Sequence, residues 1–253
     1  MARRFEGKVA LSSGGAFGMG AATAKLMAEQ GAKIVIGDIL EDEGPKRVAE
    51  IENAGGAAIF QKLDVTSEAE WQAIVAKAVE IYGGLHILVN NAGISGSAVT
   101  DFDETKAWDD LMRINATGPF FGTKYAAPEI IKSGGGAIVN ISSISGMVGQ
   151  DFTHPGYNAS KGALRTMTKH SAVRFAKQGI RVNSIHPGYM PAMRTSGRTA
   201  DPELRQRMLD QHVPMGRAGE AIEVANAVAF LASDEASYIT GVELPVDGGY
   251  MAG

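Results

Sequence analysis

Cysteine is missing from all 253 residues. That excludes disulfides, thiolate catalysis and cysteine-based metal sites in one stroke. No apolar stretch approaches the ~18 residues that a membrane-spanning helix needs, so no membrane partner is expected. Nor does the start of the chain read as a secretory signal: Arg3 and Arg4 run into Phe5-Glu6-Gly7-Lys8, where an apolar core would have to be. The cytoplasm is the default expectation. Basic blocks are also lacking, and the formal net charge is −4, which makes nucleic acid a poor partner. The 5 histidines, His86, His154, His170, His186 and His212, show no metal-ligand spacing, so no metal site is expected.

What is present is an ordinary globular composition, 45% hydrophobic and 21% charged, with 32 glycines gathered at particular turns. Short apolar runs alternate with longer helical stretches. Strands are predicted at Lys8–Ser12, Lys33–Gly37, Ala57–Lys62, His86–Asn90, Ala137–Ser142, Arg181–His186 and Val242–Val246. Helices are predicted at Gly18–Gln30, Glu41–Ala54, Glu68–Tyr82, Thr105–Lys132, Tyr157–Gln178 and Ala221–Ala232. Glu68–Tyr82 is the clearest, with Trp71, Ile74, Val75, Ala78, Val79 and Tyr82 at three- and four-residue spacing. Alternating β and α with continuously apolar strands means a parallel sheet covered on both faces. The expectation is therefore a single α/β domain over residues 1–253, a Rossmann-type doubly wound parallel sheet of about seven strands with helices on both faces. The stretch Tyr189–Val213, with Pro191, Gly197 and Pro202, reads as irregular: either a mobile lid over a site or a plain surface excursion.

The first strand runs into Ser13-Gly14-Gly15-Ala16-Phe17-Gly18-Met19-Gly20 and then a helix. Glycine permits positive φ and lets the backbone approach a ligand, and a helix N-terminus presents free N–H groups to a pyrophosphate. Asp38 ends the second strand, where a carboxylate can accept both hydroxyls of an adenosine ribose and repel a 2′-phosphate. That favours NAD over NADP. No Arg or Lys stands in the glycine turn, where Phe17 takes the slot a basic residue would fill. Asp64-Val65 follows the third strand, where it can face an adenine edge, and Asn90-Asn91-Ala92-Gly93 follows the fourth.

With these segments the chain resembles the short-chain dehydrogenase/reductase family, in its common form of about 250 residues, over essentially its whole length. The glycine motif is matched by Ser13 through Gly20 with Ser in place of Thr, the Asn-Asn-Ala-Gly motif by Asn90–Gly93, the Tyr-x-x-x-Lys motif by Tyr157–Lys161, and the Pro-Gly after the sixth strand by Pro187-Gly188. The resemblance implies a catalytic set of Ser143, Tyr157, Lys161 and Asn115. It implies a dinucleotide held by Ser13, Gly14, Phe17, Gly18, Met19, Gly20, Asp38, Asp64, Val65, Asn91, Ala92, Gly93, Tyr157, Lys161, Pro187, Gly188 and Met190. It also implies a homotetramer. The chemistry follows from the residue types. A phenol with a pKa near ~10 is a poor base at neutral pH, and a lysine four residues on lies on the same helical face. Its charge, with that of an oxidised nicotinamide, lowers the phenol pKa towards working pH. The serine hydroxyl can hold the substrate oxygen beside the phenol. Asn115, through its side chain or a local helix distortion, can hold a water that relays protons from Lys161.

Three departures stand out. The segment between Ser143 and Tyr157 is one residue longer than in many family members. The threonine that commonly follows Pro-Gly is absent, with Pro191-Ala192 in that stretch and Thr195 further on. Ser13 replaces threonine but keeps the hydroxyl. The expected substrate pocket comprises Ser95, Gly96, Met147, Gln150, Phe152, His154, Tyr189, Met190 and Met193, with Arg194 and Arg198 able to reach in. His154 either lines it or faces water. The set suits a hydrophobic secondary alcohol or ketone such as a cyclic, steroid-like or aryl-alkyl compound. The expected activity is that of an NAD-dependent alcohol dehydrogenase/ketoreductase. The alternatives are an NADPH-dependent 3-oxoacyl-[acyl-carrier-protein] reductase and a non-catalytic dinucleotide-binding protein.

Overall fold

The apolar runs of the sequence become parallel strands because both of their faces are covered. The computed structural model describes residues 3–197 and 200–253. Its strands are Val9–Ser13 (β1), Lys33–Asp38 (β2), Ala57–Lys62 (β3), Ile87–Asn90 (β4), Gly136–Ile141 (β5), Ile180–Pro187 (β6) and Glu243–Val246 (β7). They form one 7-stranded sheet in the order β3-β2-β1-β4-β5-β6-β7, every pairing parallel. The helices are Gly18–Glu29 (α1), Glu43–Asn53 (α2), Glu68–Tyr82 (α3), Thr105–Met112 (α4), Gly118–Lys132 (α5), Pro155–Phe175 (α6), Pro202–His212 (α7) and Ala221–Ala232 (α8). The doubly wound α/β fold expected from the alternation is the fold found.

Alternate residues of each central strand feed opposite cores. Ile34, Ile36, Val89 and Val139 pack with Leu26 and Met27 of α1 and with Val224 and Val228 of α8. Leu11, Val35, Leu88 and Ile138 pack on the other face with Trp71 and Ile74 of α3 and with Ala126 and Ile130 of α5. Burying each large aliphatic side chain contributes about 1.5–3 kcal/mol, so the two layers hold the strand ends in fixed register. Buried amides cross-link the sheet: Asn90 Nδ2 donates to Asn140 Oδ1 at 2.8 Å, and Asn140 Nδ2 to Thr168 Oγ1 of α6 at 2.8 Å.

Helix α3 has the bounds its periodicity predicts, since its ends are written locally. Ser67 Oγ caps the Glu70 N–H at 3.3 Å, and Gly83 closes the helix at φ 83°. Two expectations need correction. The region Thr105–Lys132 is not one continuous helix: a π-helical turn, Arg113–Thr117, separates α4 from α5. Pro119 has no N–H to give the carbonyl of Asn115, so the α ladder lapses there. The Asn115 side chain meanwhile binds the Ile94 backbone through both its oxygen (2.9 Å) and its nitrogen (3.0 Å). The stretch Tyr189–Val213 is not irregular throughout, because it contains α7. Asp201 caps α7, accepting from Leu204 N–H at 2.7 Å, and Pro202 opens it. Its weak apolar pattern, essentially Met208 and Leu209, hides the helix from periodicity.

Gly136 tests the tightness of the sheet. A Cβ there would lie 1.9 Å from the backbone oxygen of His86, and backbone cannot step aside. Gly136→Ala is expected to cost about 2–3 kcal/mol, seen as a fall in melting temperature of about 5–10 °C by circular dichroism. An unchanged melting temperature would contradict the strand spacing described.

Candidate active site

The site forms at the C-terminal ends of β1, β4, β5 and β6, where the strand order reverses and the crossovers diverge. Its first component is a bare backbone turn. Gly14 has φ 63°, and a Cβ on it would come within 2.8 Å of the Ala92 Cα; a Cβ on Gly20 would fall 2.0 Å from Gly14 O. These two glycines bring turn and helix together. Gly18 differs, because at φ 57° it faces open space, and a Cβ on it would meet nothing within 4 Å. Helix α1 carries no side-chain cap and no acid in its first turn. Its free N–H groups, with open space above Gly18, fit the pyrophosphate of a dinucleotide.

Neighbouring residues complete this half of the cleft. Ser13 Oγ accepts from the N–H groups of Asn91 (3.1 Å) and Ala92 (3.2 Å), and Asn91 Nδ2 donates to Ser13 O (3.1 Å) and Gly14 O (2.9 Å). Asp38 is buried at the end of β2 and accepts from Ala16 N–H at 3.0 Å and Leu40 N–H at 3.1 Å. Its carboxylate is thereby fixed against the glycine turn. Asp64 turns its carboxylate back onto Thr66, accepting from the backbone N–H (2.9 Å) and the hydroxyl (2.8 Å), and Val65 is buried against Gly118. Gly188 approaches Asp247 so closely that a Cβ would lie 2.8 Å from its Cα.

The second component is the polar group between β5 and α6. Ser143, Tyr157, Lys161 and Met19 line one cleft of about 130 Å³ together with Gly93, Pro187, Gly188 and Met190. Lys161 is buried, donates from Nζ to Ile141 O at 2.9 Å and sits 5.9 Å from the centre of the Tyr157 ring. Burial lowers its pKa from the ordinary 10.5 to about 8. Burial pushes the Tyr157 phenol up, and the Ser143 side chain opposes this by hydrogen bonding. Asn115 stands on the Lys161 side of the group: a Cβ on Gly93 would lie 3.0 Å from Asn115 Oδ1 and 3.4 Å from Lys161 Nζ. Asn115 Nδ2 also donates to Ser160 Oγ at 3.3 Å. The two adjacent serines separate cleanly. Ser142 Oγ donates to Lys161 O at 2.9 Å, while Ser143 Oγ accepts from Ser145 N–H at 3.1 Å and donates to Ser145 Oγ at 3.2 Å. Ser145 in turn donates to Gln150 Oε1.

Of the expected pocket residues, Ser95, Gln150, Phe152, Tyr189, Met190 and Met193 line this cleft. Gly96, Met147 and His154 are not among its lining residues. Both readings of His154 need correction: it is 1% exposed, and its Nδ1 caps α6 by accepting from Gly156 N–H at 3.1 Å. The helix start at Pro155, two residues before the predicted one, turns the imidazole inward. Arg194 lies over the exposed Phe17 ring, its guanidinium 5.8 Å from the centroid, and Arg198 falls outside the described residues. Thr195 Oγ1 accepts from Ser95 N–H at 3.0 Å, so it ties its segment to the loop after β4. Sequence reasoning missed Ser97, Ser145 and Arg205, which also line the cleft. Ser145 was within reach, lying two residues beyond Ser143. Arg205 was not, because α7 was not foreseen.

Comparisons with known proteins find relatives over the whole chain. A family model described as enoyl-(acyl carrier protein) reductase matches residues 14–251. The 2,5-dichloro-2,5-cyclohexadiene-1,4-diol dehydrogenase of Sphingobium indicum is 47% identical over 253 residues, covering 100% of each chain. A 3-alpha-(or 20-beta)-hydroxysteroid dehydrogenase of Mycobacterium tuberculosis is 46% identical over 253 residues, 100% of this chain and 93% of that one. A solved structure from Sinorhizobium meliloti 1021, described provisionally as a short-chain alcohol dehydrogenase, superposes with a TM-score of 0.92 at 35% identity, covering 100% of this chain and 99% of that chain.

The burial of Lys161 is directly measurable. Its folded pKa of about 8 lies below the unfolded 10.5, so between those values the unfolded chain binds more protons. The penalty this lysine imposes on folding is full below pH about 8 and fades as pH rises towards 10.5. Carbon-13 NMR of Cε-labelled lysine in the ligand-free protein is expected to show Lys161 titrating near pH 8, and Lys161→Met should remove that signal. Titration of Lys161 at the ordinary value would mean that the amine is solvated.

Proposed function

This chain belongs to the short-chain dehydrogenase/reductase family, and we propose that it is an NAD(H)-dependent enzyme that interconverts a hydrophobic secondary alcohol and its ketone. It is an oxidoreductase of alcohols, as its relatives' names describe theirs. The observation that carries the mechanistic reading is the convergence of Ser143, Tyr157 and Lys161 on one cleft beside the uncapped N-terminus of α1.

The nicotinamide dinucleotide supplies the hydride acceptor or donor when bound; Gly14, Gly18, Gly20, Asp38, Asn91 and Gly188 are the residues that would hold it. The remaining work falls to side chains of this chain. Ser143 Oγ holds the reacting oxygen beside the phenol. In oxidation Tyr157 Oη accepts the proton of the alcohol, and in reduction it returns one to the carbonyl oxygen. Burial alone raises the phenol pKa, so the tyrosine needs a cation. The protonated Lys161 provides it, held on Ile141 O rather than free to swing away. Asn115, in its π-helical turn beside Lys161, lies where a proton path to the outside would pass.

Asp38 supports NAD. Its two oxygens are anchored on the backbone at the glycine turn, where a 2′-phosphate would meet a fixed negative charge. One observation favours NADPH instead: Arg194 brings a cation to Phe17. We give Asp38 the greater weight because it is buried and doubly hydrogen-bonded, whereas Arg194 is exposed. The segment from Tyr189 to Gly197 acts as the lid. The space of about 130 Å³ that it lines is below the ~300–1,000 Å³ of sites that enclose drug-sized ligands, which supports reading it as a lid that moves when a ring-bearing substrate enters. The homotetramer suits the outer faces of α5 and α6, where Phe120, Ile131 and Val173 stand exposed.

A screen of NAD+ reduction across cyclic, steroidal and aryl-alkyl secondary alcohols tests the reading. With any alcohol that turns over, Tyr157→Phe should lower kcat by about 10²–10⁴ while NADH fluorescence still reports binding; survival of more than a few per cent of the activity would rule out Tyr157 as acid/base. The cofactor assignment has its own measurement. NADH should be preferred over NADPH, and Asp38→Ala should narrow that preference by at least about tenfold, the effect of one 1.4 kcal/mol repulsion removed. A wild-type preference for NADPH would overturn it in favour of the Arg194 reading.

A further inference from the structure

The proposed mechanism uses no histidine, yet His186 is 0% exposed directly beneath the cleft. It stands on β6 one residue before Pro187. Its Nδ1 lies 2.9 Å from the backbone oxygen of Ser143, and its Nε2 lies 2.9 Å from Ser184 Oγ. The partners settle its polarity. A carbonyl oxygen can only accept, so Nδ1 carries the hydrogen; in the neutral ring Nε2 then accepts from Ser184 Oγ, whose other acceptor is Val242 O at 3.3 Å. The position of this bond gives it its consequence. Pairing of β5 with β6 ends as Ser142 N–H donates to Ile185 O at 2.8 Å, and Ser143 is the first residue beyond that bond. Its carbonyl accepts a second hydrogen bond from Gly146 N–H at 2.9 Å, but that bond closes the turn Ser143–Gly146 on itself. His186 is what ties the turn to the sheet.

We infer that His186 is a positioning residue for Ser143: its Nδ1–H grips the Ser143 carbonyl and so aims the serine hydroxyl at the reacting oxygen beside Tyr157. The inference rests on the reading of Ser143 as a catalytic residue. It needs no charge on the imidazole, and burial accordingly holds His186 below the ordinary histidine pKa, opposed by the Ser143 bond and by Glu243 and assisted by Arg165 and Lys161. Without the Nδ1–H the carbonyl keeps only the bond inside its own turn, and the turn is free to shift. Displacements of ~1 Å in a positioning group can lower rates by about 10²-fold.

Two measurements test this. Nitrogen-15 NMR of the wild-type protein at neutral pH should show His186 as the neutral tautomer protonated at Nδ1. The Nε2–H tautomer would overturn the assignment, and this readout requires no turnover, so it fails or succeeds apart from the alcohol dehydrogenase reading. In the second, an asparagine amide can reproduce the Nδ1–H but a leucine cannot. His186→Leu is expected to lower kcat by at least about tenfold with NADH affinity unchanged, and His186→Asn to recover most of that loss. Equal kcat in wild type and His186→Leu would overturn the inference, as would equal losses in the Leu and Asn variants with both folded by circular dichroism.

Discussion

The amide of Asn91 reaches from the end of β4 across to the end of β1, donating to both Ser13 O and Gly14 O, while Ser13 Oγ receives the N–H groups of Asn91 and Ala92 in return. This is where two neighbouring parallel strands stop pairing, because their crossovers leave towards opposite faces of the sheet. Four backbone groups would otherwise be stranded at the mouth of a crevice, each costing about 1–3 kcal/mol if buried without a partner. The exchange satisfies them and leaves the crevice open. Gly14 and Gly20 can then press together beneath it, and Gly18 is left facing outwards with its backbone bare. The conformation of the glycine turn depends on this strand-end clamp.

On the other side of the cleft the organising element is the end of β5. Three backbone carbonyls of the neighbourhood are gripped by side chains: Ile141 O by Lys161 Nζ, Lys161 O by Ser142 Oγ, and Ser143 O by His186 Nδ1. Each link joins β5 to α6 or β6, so the lysine and the serine are set relative to the sheet rather than to their own loops. A buried lysine is costly, and its depressed pKa expresses that cost. In the proposed mechanism that cost has a return, because a cation beside the phenol is worth more when water is kept away.

The parts of this arrangement that were legible in the sequence are those with a local or motif-level cause. Strands and helices with clean periodicity and caps, such as α3 and α8, sit where the pattern puts them. Ser143, Tyr157 and Lys161 fall together as their motifs imply. What could not be read depends on contacts between distant segments. A local helix distortion at Asn115 was among the expectations, but its partner Ile94, 21 positions away, was not. His154 looked like a loop residue because its capping role exists only once α6 begins at Pro155. Arg194 meets Phe17 across the cleft, a pairing that no spacing announces.

The longer segment between Ser143 and Tyr157 shows why chemistry was easier to infer than substrate. Asn158 of α6 holds its Gln150 from both sides, accepting the backbone N–H at 3.2 Å and donating to the backbone O at 3.2 Å. Gln150 then accepts from Ser145, which is bonded to Ser143. The loop is thus stitched to α6 and to the serine turn, and its Gln150 lines the cleft. Facing it are Phe152 and Tyr189, their rings 6.4 Å apart. The proposed catalytic residues are anchored to the sheet and α6, whereas the proposed substrate walls come from two loops and one short helix. Their shape follows from tertiary contacts such as Thr195 with Ser95, so in the proposed reading the same catalytic set would serve different substrates with only these walls altered.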